Sequence, residues 1–552
     1  MTKLTVLFCC CLCAVQLSAQ DTITKQDLRS AARIIDIDFT QKEIDTMYDG
    51  VKDNYENYKH MHQYSLDNSV PLSLWQSPVL PGMHFNEKQD PINWNIPLNV
   101  SLPKDRNALS FYSILQLASL IKNRKITSVE LTQFFLNRLK QYGDTLQCVI
   151  SLTEEIAMQQ ARQADAEIAK GKYRGPLHGI PYGLKDLFAV KGTKTTWGAA
   201  PYKDQVIEQD AFVYTKLREA GAVLIAKFTL GALAMGDKWF GGQTKNPWNL
   251  HYGSSGSSAG PASATAAGLV PFAIGTETWG SIVSPSSTCG ATGLRPTFGS
   301  ISRSGAMTLS WSLDKAGPIC RSAEDAAIVF NYIHGTDHID ACAVDRPFNY
   351  KGKTDIRKLR IAYAKNYFDK IKDTSRNEWK VLDAFRSMGV QLIPVDFPDS
   401  GVYNFNIMNI VISAEGGAAF DDFTRHNIDD QMTWQGKYDW PNNFRTDRLI
   451  PAVEYINANR HRYLLMQKVN EVINQFDVII CPTRGSGNQG AITNLTGHPV
   501  VCAPTGFDKR FNLPTSITFI GKLYDEATLL AVAKAYQDAT PWNKLHPDMF
   551  KK

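Results

Sequence analysis

The pattern of apolar and polar positions predicts a helical start followed by alternating helices and strands. Residues 44–58 carry apolar side chains at helical spacing, behind Thr40 and Glu43, which are placed as a capping box. A second capping box at 127–130 predicts a helix that ends at Gly143. Later runs predict helices at 154–170, 324–333 and 526–538, and strands at 178–184, 222–227, 359–363 and 476–481.

This alternation predicts one α/β domain with a mixed, mostly buried β-sheet covered by helices. We assign the domain to residues 96–552 and a helical extension to residues 21–95. The Pro- and Asn-rich stretch at 71–103 predicts an extended connection between them. No internal repeat or low-complexity linker divides the larger unit.

Residues 1–20 have the pattern of a secretory signal peptide. One Lys precedes an apolar run, and a small-x-small ending follows at 18–20. The run is too short to span a bilayer, so we expect an exported protein, periplasmic or extracellular, without a stable membrane anchor. The alternatives are a buried N-terminal strand and a lipoprotein anchor. The anchor is disfavoured because no cysteine in this run follows a small residue.

Composition and charge exclude several partner classes. The formal net charge is +5 over 552 residues and is not gathered into runs, so neither nucleic acid nor an anionic membrane surface is an expected partner. The cysteines beyond residue 20 lack the spacing of metal ligands, and we expect neither a metal ion nor a cofactor. Their disulfide pairing stays open; they are Cys148, Cys289, Cys320, Cys342, Cys481 and Cys502.

The most unusual stretch is 253–297, which is crowded with Gly, Ser, Ala and Thr and has almost no charge. Small residues allow the backbone to approach another backbone or a ligand closely. A predicted helix at 261–269 and strand at 270–274 separate two clusters of hydroxyl groups, which lets Ser257 and Ser281 meet. We interpret this stretch as the framework of an active site.

Lys185 is a candidate base for such a site, because it ends the apolar run Gly179–Leu184. A serine hydroxyl is a weak nucleophile until a base accepts its proton. A lysine ordinarily titrates near roughly 10.4, so Lys185 must be kept neutral by burial to act as that base.

Three motifs in order resemble the amidase signature family, which includes fatty-acid amide hydrolases, peptide amidases and the A-type subunits of glutamine amidotransferases. Gly179–Asp186 matches its Gly-Ile-Pro-x-x-x-Lys-Asp pattern. Asn246–Trp248 and Gly256–Gly260 match its Asn-Pro-Trp and Gly-Ser-Ser-x-Gly patterns. The resemblance covers about residues 105–550 and implies a serine hydrolase that acts on amides.

The resemblance implies a role for each matched residue. Ser281 would be the nucleophile, Ser257 a bridging serine that follows a cis peptide bond, and Lys185 the base. The backbone N–H groups of residues 278–281 would form an oxyanion hole; these residues are Thr278, Trp279, Gly280 and Ser281.

The neighbouring positions suggest a substrate pocket and also depart from the family pattern. We place Met235, Ser258 and Trp279 in the pocket. Trp279 stands where relatives often have glycine, and Val283 stands where they have an arginine that could pair with the acid at 277. These changes leave the three proposed catalytic residues intact but alter the shape and the charge of the pocket.

Several other functions use the same residues. The Gly-x-Ser-x-Gly pattern at 256–260 also fits the nucleophile elbow of α/β-hydrolases, but no strand is predicted directly before it. Further alternatives are a non-catalytic amide- or peptide-binding relative, a serine esterase and one subunit of an amidotransferase. Export disfavours the last.

The sequence therefore predicts an exported serine-type amidase that hydrolyses a small linear, non-peptide carboxylic amide through an acyl-enzyme on Ser281. The substrate and the oligomeric state stay open, with a homodimer as one option.

Overall fold

A computed structural model describes residues 23–34, 37–64, 77–399 and 405–552. The predicted signal peptide at 1–20 lies outside the described residues. Within them, helices and strands alternate as predicted, and they form a mixed α/β fold with one large sheet.

Helices flank the sheet along the whole described chain. Their bounds are α1 (Lys25–Ile34), α2 (Gln41–His62), α3 (Ile114–Lys122), α4 (Ser128–Leu146), α5 (Glu154–Ala169), α6 (Phe212–Glu219), α7 (Ala259–Ala266), α8 (Val283–Cys289), α9 (Ala323–Ile333), α10 (Lys365–Phe368), α11 (Asn377–Ser387), α12 (Phe405–Ala419), α13 (Asp421–Arg425), α14 (Trp440–Asp447), α15 (Ala452–Ile473), α16 (Gln489–Thr496) and α17 (Glu526–Ala539).

Eleven strands of the described chain form one sheet in the order β1-β3-β2-β6-β8-β7-β12-β13-β11-β9-β10, while β4 and β5 pair separately. The neighbours β3, β2 and β6 are parallel, whereas β6, β8 and β7 are antiparallel. The strands are β1 (Val149–Leu152), β2 (Pro181–Lys185), β3 (Val223–Phe228), β4 (Lys238–Trp239), β5 (Gly242–Gln243), β6 (Ala273–Glu277), β7 (Thr292–Arg295), β8 (Lys315–Cys320), β9 (Ile361–Ala364), β10 (Ile393–Val395), β11 (Val478–Pro482), β12 (Val500–Phe507) and β13 (Pro514–Gly521).

Both predicted capping boxes are confirmed. The Thr40 hydroxyl accepts the N–H of Glu43 and starts α2, and Thr127 with Glu130 starts α4 in the same way. The predicted end of α4 at Gly143 was wrong, because the helix continues to Leu146. A glycine inside a helix costs only about 1 kcal/mol relative to alanine, which the buried apolar face of α4 offsets.

The N-terminal extension packs on the C-terminal half of the chain. Helix α2 contacts α14, and Glu43 on α2 forms an ion pair of 3.1 Å with Arg445 on α14. The predicted extended connection is confirmed for its described part, since residues 77–103 contain no helix or strand.

The central strands are buried on both faces, as their unbroken apolar runs predict. Every residue of β2, β3 and β11 is buried. This burial matters for function because β2 ends at Lys185, which lies next to β6 at 0% exposure. The sheet therefore carries Lys185 into the interior, where other strands also bury ionisable side chains such as Lys227, Glu277 and Arg295.

None of the six cysteines beyond residue 20 forms a disulfide, and all but the partly exposed Cys342 are buried. Burial raises the pKa of the Cys289 thiol, which is typical of a packed and unreactive cysteine. None of the described helices combines the length and the apolar character needed to cross a membrane.

Candidate active site

The end of β2 and the middle of β6 bring a lysine between two hydroxyl groups. Lys185 Nζ lies 2.8 Å from Ser257 Oγ and 2.8 Å from Thr276 Oγ1. Thr276 was not predicted as a site residue. It lies two residues beyond the predicted strand at 270–274, and only the fold shows that the strand continues to Glu277 and pairs with β2.

The surroundings of Lys185 favour its neutral form. Desolvation lowers its pKa to about 7, although the negative charges of Asp314 and Glu277 partly oppose this shift. A primary amine with this pKa is substantially unprotonated at neutral pH, so its lone pair is available to accept a proton.

Ser257 is held in place by close backbone packing. The Gly256–Ser257 peptide bond is cis. Gly256 packs so closely that a Cβ there would lie 1.8 Å from the carbonyl oxygen of Gly236. The next residue, Ser258, donates its N–H to the carbonyl oxygen of Ser281 at 3.1 Å. The segment of Ser257 is therefore tied directly to that of Ser281.

Ser281 lies on the short loop between β6 and α8 and is 8% exposed. Among the described residues, no hydrogen bond joins its hydroxyl to that of Ser257, so the structure connects the two serines through the backbone. Within the same part of the chain, no acceptor takes the N–H of Gly280 or Ser281. Gly280 and Ser281, two of the residues predicted to form the oxyanion hole, thus have N–H groups available beside the hydroxyl of the predicted nucleophile.

Ser258 does not belong to the substrate pocket as expected. Its hydroxyl is fully buried, donates to the carbonyl oxygen of Thr276 at 3.0 Å and accepts the N–H of the same residue at 3.1 Å. Both functions of the hydroxyl are used to hold β6 against α7. The same contacts disfavour the nucleophile-elbow alternative, which needs a free Ser258.

Glu277 organises the loop from within the core. Its carboxylate accepts the N–H groups of Ile282 and Val283, each at 2.9 Å, and pairs with Arg295 at 2.9 Å. Desolvation acts to raise the pKa of Glu277, but Arg295 and these hydrogen bonds lower it to about 2. The guanidinium missing at position 283 is therefore supplied from β7, which sequence proximity could not indicate.

The two large side chains predicted for the pocket line different cavities. Trp279 lines a cavity of about 260 Å³ together with Gly256 and Gly280. Met235 lines another, of about 210 Å³, together with Trp434. Only the first cavity adjoins the residues that precede both serines.

The arrangement can perform proton transfer and electrostatic stabilisation. A lysine with a lowered pKa contacts one serine, a second serine lies on a neighbouring loop, and beside it are two N–H groups that no described residue accepts. These are the components of acyl transfer by an activated hydroxyl.

A family model and named relatives match most of the chain. The sequence model of the family named Amidase matches residues 130–488. The chain is 32% identical to the A-type subunit of glutamyl-tRNA(Gln) amidotransferase from Legionella pneumophila (strain Paris), over 80% of this chain and 99% of that protein. It is 34% identical to the protein of the same name from Methylococcus capsulatus, over 79% and 98%.

Solved structures share the fold. The peptide amidase from Stenotrophomonas maltophilia has a TM-score of 0.69 and 28% identity, covering 78% of this chain and 96% of that one. A chain from a vestigial protein complex, described as revealing the evolutionary origins of an s-triazine catabolic enzyme, has a TM-score of 0.70 and 26% identity, covering 77% of this chain and 98% of that one.

Proposed function

Because the chain belongs to the amidase family, we propose that it is an exported serine-type amidase with Ser281 as nucleophile. The single observation that carries the proposal is the buried contact of 2.8 Å between Lys185 Nζ and Ser257 Oγ, beside the loop of Ser281. The lowered pKa of Lys185 supports its role as the base.

The reaction proceeds in two halves. Neutral Lys185 accepts the proton of Ser257, which accepts that of Ser281 as the Ser281 oxygen bonds to the amide carbonyl carbon. The carbonyl oxygen gains negative charge next to the N–H groups of Gly280 and Ser281. The relay returns a proton to the nitrogen, the C–N bond breaks, and amine or ammonia leaves. Water then attacks the acyl ester and releases the acid.

The proposed substrate is a small linear, non-peptide amide. The cavity of about 260 Å³ beside Gly280 supports a small acyl or amine group. Export rests on the pattern of residues 1–20. The names of the relatives suggest an alternative function, as one subunit of an amidotransferase. Hydrolysis of an amide by the purified chain alone, with water as the acceptor, would favour the free amidase.

A fluorophosphonate probe tests the nucleophile without knowledge of the substrate. We expect the label on Ser281 by peptide mapping, no label in Ser281→Ala, and strongly slowed labelling in Lys185→Met, which keeps most of the buried volume. Ser30→Ala, on the exposed surface of α1, is the control. A label on Ser258 would support the elbow mechanism. No label on folded protein would support a non-catalytic binding protein.

A matched pair of an amide and its ester then separates amidase from esterase. Amide hydrolysis at a rate comparable with that of the ester supports the proposal, whereas turnover of the ester alone contradicts it.

A further inference from the structure

Arg484 lies in the cavity beside the nucleophile loop, and the mechanism above gives it no role. It follows β11 by two residues and lines the cavity of about 260 Å³ with Gly256, Trp279 and Gly280. We propose that Arg484 binds a carboxylate of the substrate, so that the enzyme acts on amides that carry an anionic group. This inference rests on the proposed function.

The guanidinium of Arg484 is anchored through one of its nitrogens. Nη2 donates to the carbonyl oxygen of Ser284 at 3.0 Å, to Ser284 Oγ at 2.7 Å and to Thr288 Oγ1 at 2.8 Å. The Ser284 hydroxyl is in turn 2.9 Å from Ser255 Oγ. Within the described residues, no acceptor takes the N–H groups of Nε or Nη1. The anchored side therefore fixes the group, and the other donors stay available.

The charge of Arg484 also lacks a counterion. No carboxylate of the described chain forms an ion pair with it, in contrast to Arg295 with Glu277 and Arg303 with Asp340. Although Arg484 is exposed to the cavity, desolvation by the surrounding protein lowers its pKa. The side chain is exposed, so water solvates its free N–H groups, and an anion on the ligand would supply the missing counterion.

A carboxylate is the anion that fits the remaining donors. Both bidentate edges of a guanidinium include Nη2, which is already engaged, so a carboxylate accepts a single charge-assisted hydrogen bond from Nη1 or Nε of Arg484. An amide hydrolase already accommodates carboxylic acids as products, so a second carboxylate on the same small molecule requires no other chemistry.

The distance from Arg484 to the nucleophile limits the length of the substrate. Ser284, which Arg484 contacts, lies three residues after Ser281, so the chain between them spans at most roughly 11 Å. Gly256 and Gly280, which line the same cavity, immediately precede the two serines. A spacer of a few carbon atoms therefore joins the carboxylate to the amide. The carboxylate can belong to the acyl part, as in a monoamide of a short dicarboxylic acid, or to the amine part, as in an N-acyl amino acid.

The experiment compares carboxylates with neutral molecules of the same shape. Succinamate is paired with 4-oxopentanamide to test the acyl side, and N-acetylglycine with N-(2-oxopropyl)acetamide to test the amine side. For one of the two pairs we expect kcat/KM of the wild type to be at least tenfold higher for the carboxylate than for the neutral molecule. The pair that shows this preference tells whether the carboxylate belongs to the acyl or to the amine part. In Arg484→Met this ratio falls at least tenfold, and in Arg484→Lys it falls less. Arg510→Met, on the exposed surface, keeps the ratio.

A binding measurement keeps the inference testable if Arg484→Met is poorly folded or if turnover is slow. We expect succinate or glutarate to slow fluorophosphonate labelling of wild-type Ser281 and to bind by calorimetry, and Arg484→Lys to weaken both effects. The inference is overturned if the wild type prefers the neutral member of both pairs or binds neither dicarboxylate. If Ser281 is still labelled in that case, the proposed function stands. If Ser281 is not labelled and no amide is turned over, the proposed function is overturned instead. The binding of succinate or glutarate is then the measurement that tests the inference.

Discussion

The pKa of Lys185 predicts how the reactivity of Ser281 depends on pH. Only neutral Lys185 can accept a proton, so the reactive fraction falls as pH drops through its pKa of about 7. Below that pH we expect the rate to fall about tenfold for each unit of pH, and above about pH 8 to be constant. With an ordinary lysine, the same rise would lie near roughly pH 10.4.

The size of the effect follows from burial. The ammonium form of Lys185 loses its hydration at 0% exposure, and Nζ keeps two hydroxyl contacts at 2.8 Å and one to the carbonyl oxygen of Thr276 at 3.5 Å. Lowering the pKa from 10.5 to about 7 corresponds to about 5 kcal/mol in favour of the neutral amine. The charges of Asp314 and Glu277 keep the shift from being larger.

The assay is the second-order rate of Ser281 modification by a neutral fluorophosphonate between pH 5 and pH 10, with circular dichroism at each pH to confirm that the protein stays folded. This rate reports activation of the hydroxyl and needs no knowledge of the natural substrate. In Lys185→Met we expect the rate to be low at every pH and the rise near pH 7 to be absent.

A rise centred near pH 10 would refute the argument, because it would mean that burial does not keep Lys185 neutral. A rise near pH 7 that persists in Lys185→Met would assign it to another group and would equally refute the role of Lys185.

Three further substitutions test the surroundings of the site. Thr276→Val keeps the shape of the side chain but removes the oxygen 2.8 Å from Lys185 Nζ; because that oxygen stabilises the ammonium, we expect the rise to move to lower pH and labelling to slow several-fold. Glu277→Gln leaves Arg295 buried without its counterion, and we expect it to lower the free energy of unfolding in urea by about 3–5 kcal/mol. Gly256→Ala forces a Cβ within 1.8 Å of the Gly236 carbonyl oxygen, and we expect loss of labelling together with a lower melting temperature.

Each substitution has a control and a contradicting result. An unchanged pH profile in Thr276→Val would mean that the contact does not affect Lys185. Glu154→Gln breaks a half-exposed ion pair with Lys140 and should lower the free energy of unfolding by no more than about 1 kcal/mol. An equally small loss in Glu277→Gln would contradict the expected effect of leaving Arg295 without its counterion. Gly490→Ala meets nothing within 4 Å, so equal melting of the two alanine variants would contradict the close packing at Gly256.

The local features of the chain were decided by the sequence itself. Capping boxes at 40–43 and 127–130 depend on residues three positions apart, and the apolar strands at 178–184 and 222–227 correspond to β2 and β3. Family motifs also identified Lys185, Ser257 and Ser281, since their spacing along the chain is characteristic. The predicted strand at 270–274 was displaced from β6, which spans Ala273–Glu277, because runs of small residues give no sharp boundary.

Contacts between distant segments were decided only by the tertiary structure. Thr276 meets Lys185 because β6 lies beside β2, and Arg295 pairs with Glu277 from across the sheet. The hydroxyl of Ser258 turns inward to the backbone of Thr276, although its motif equally allowed a position in the pocket. Arg484 reaches α8 from 200 residues further along the chain. Charge pairing and desolvation depend on which side chains the fold brings within a few ångströms, and no local pattern records that proximity.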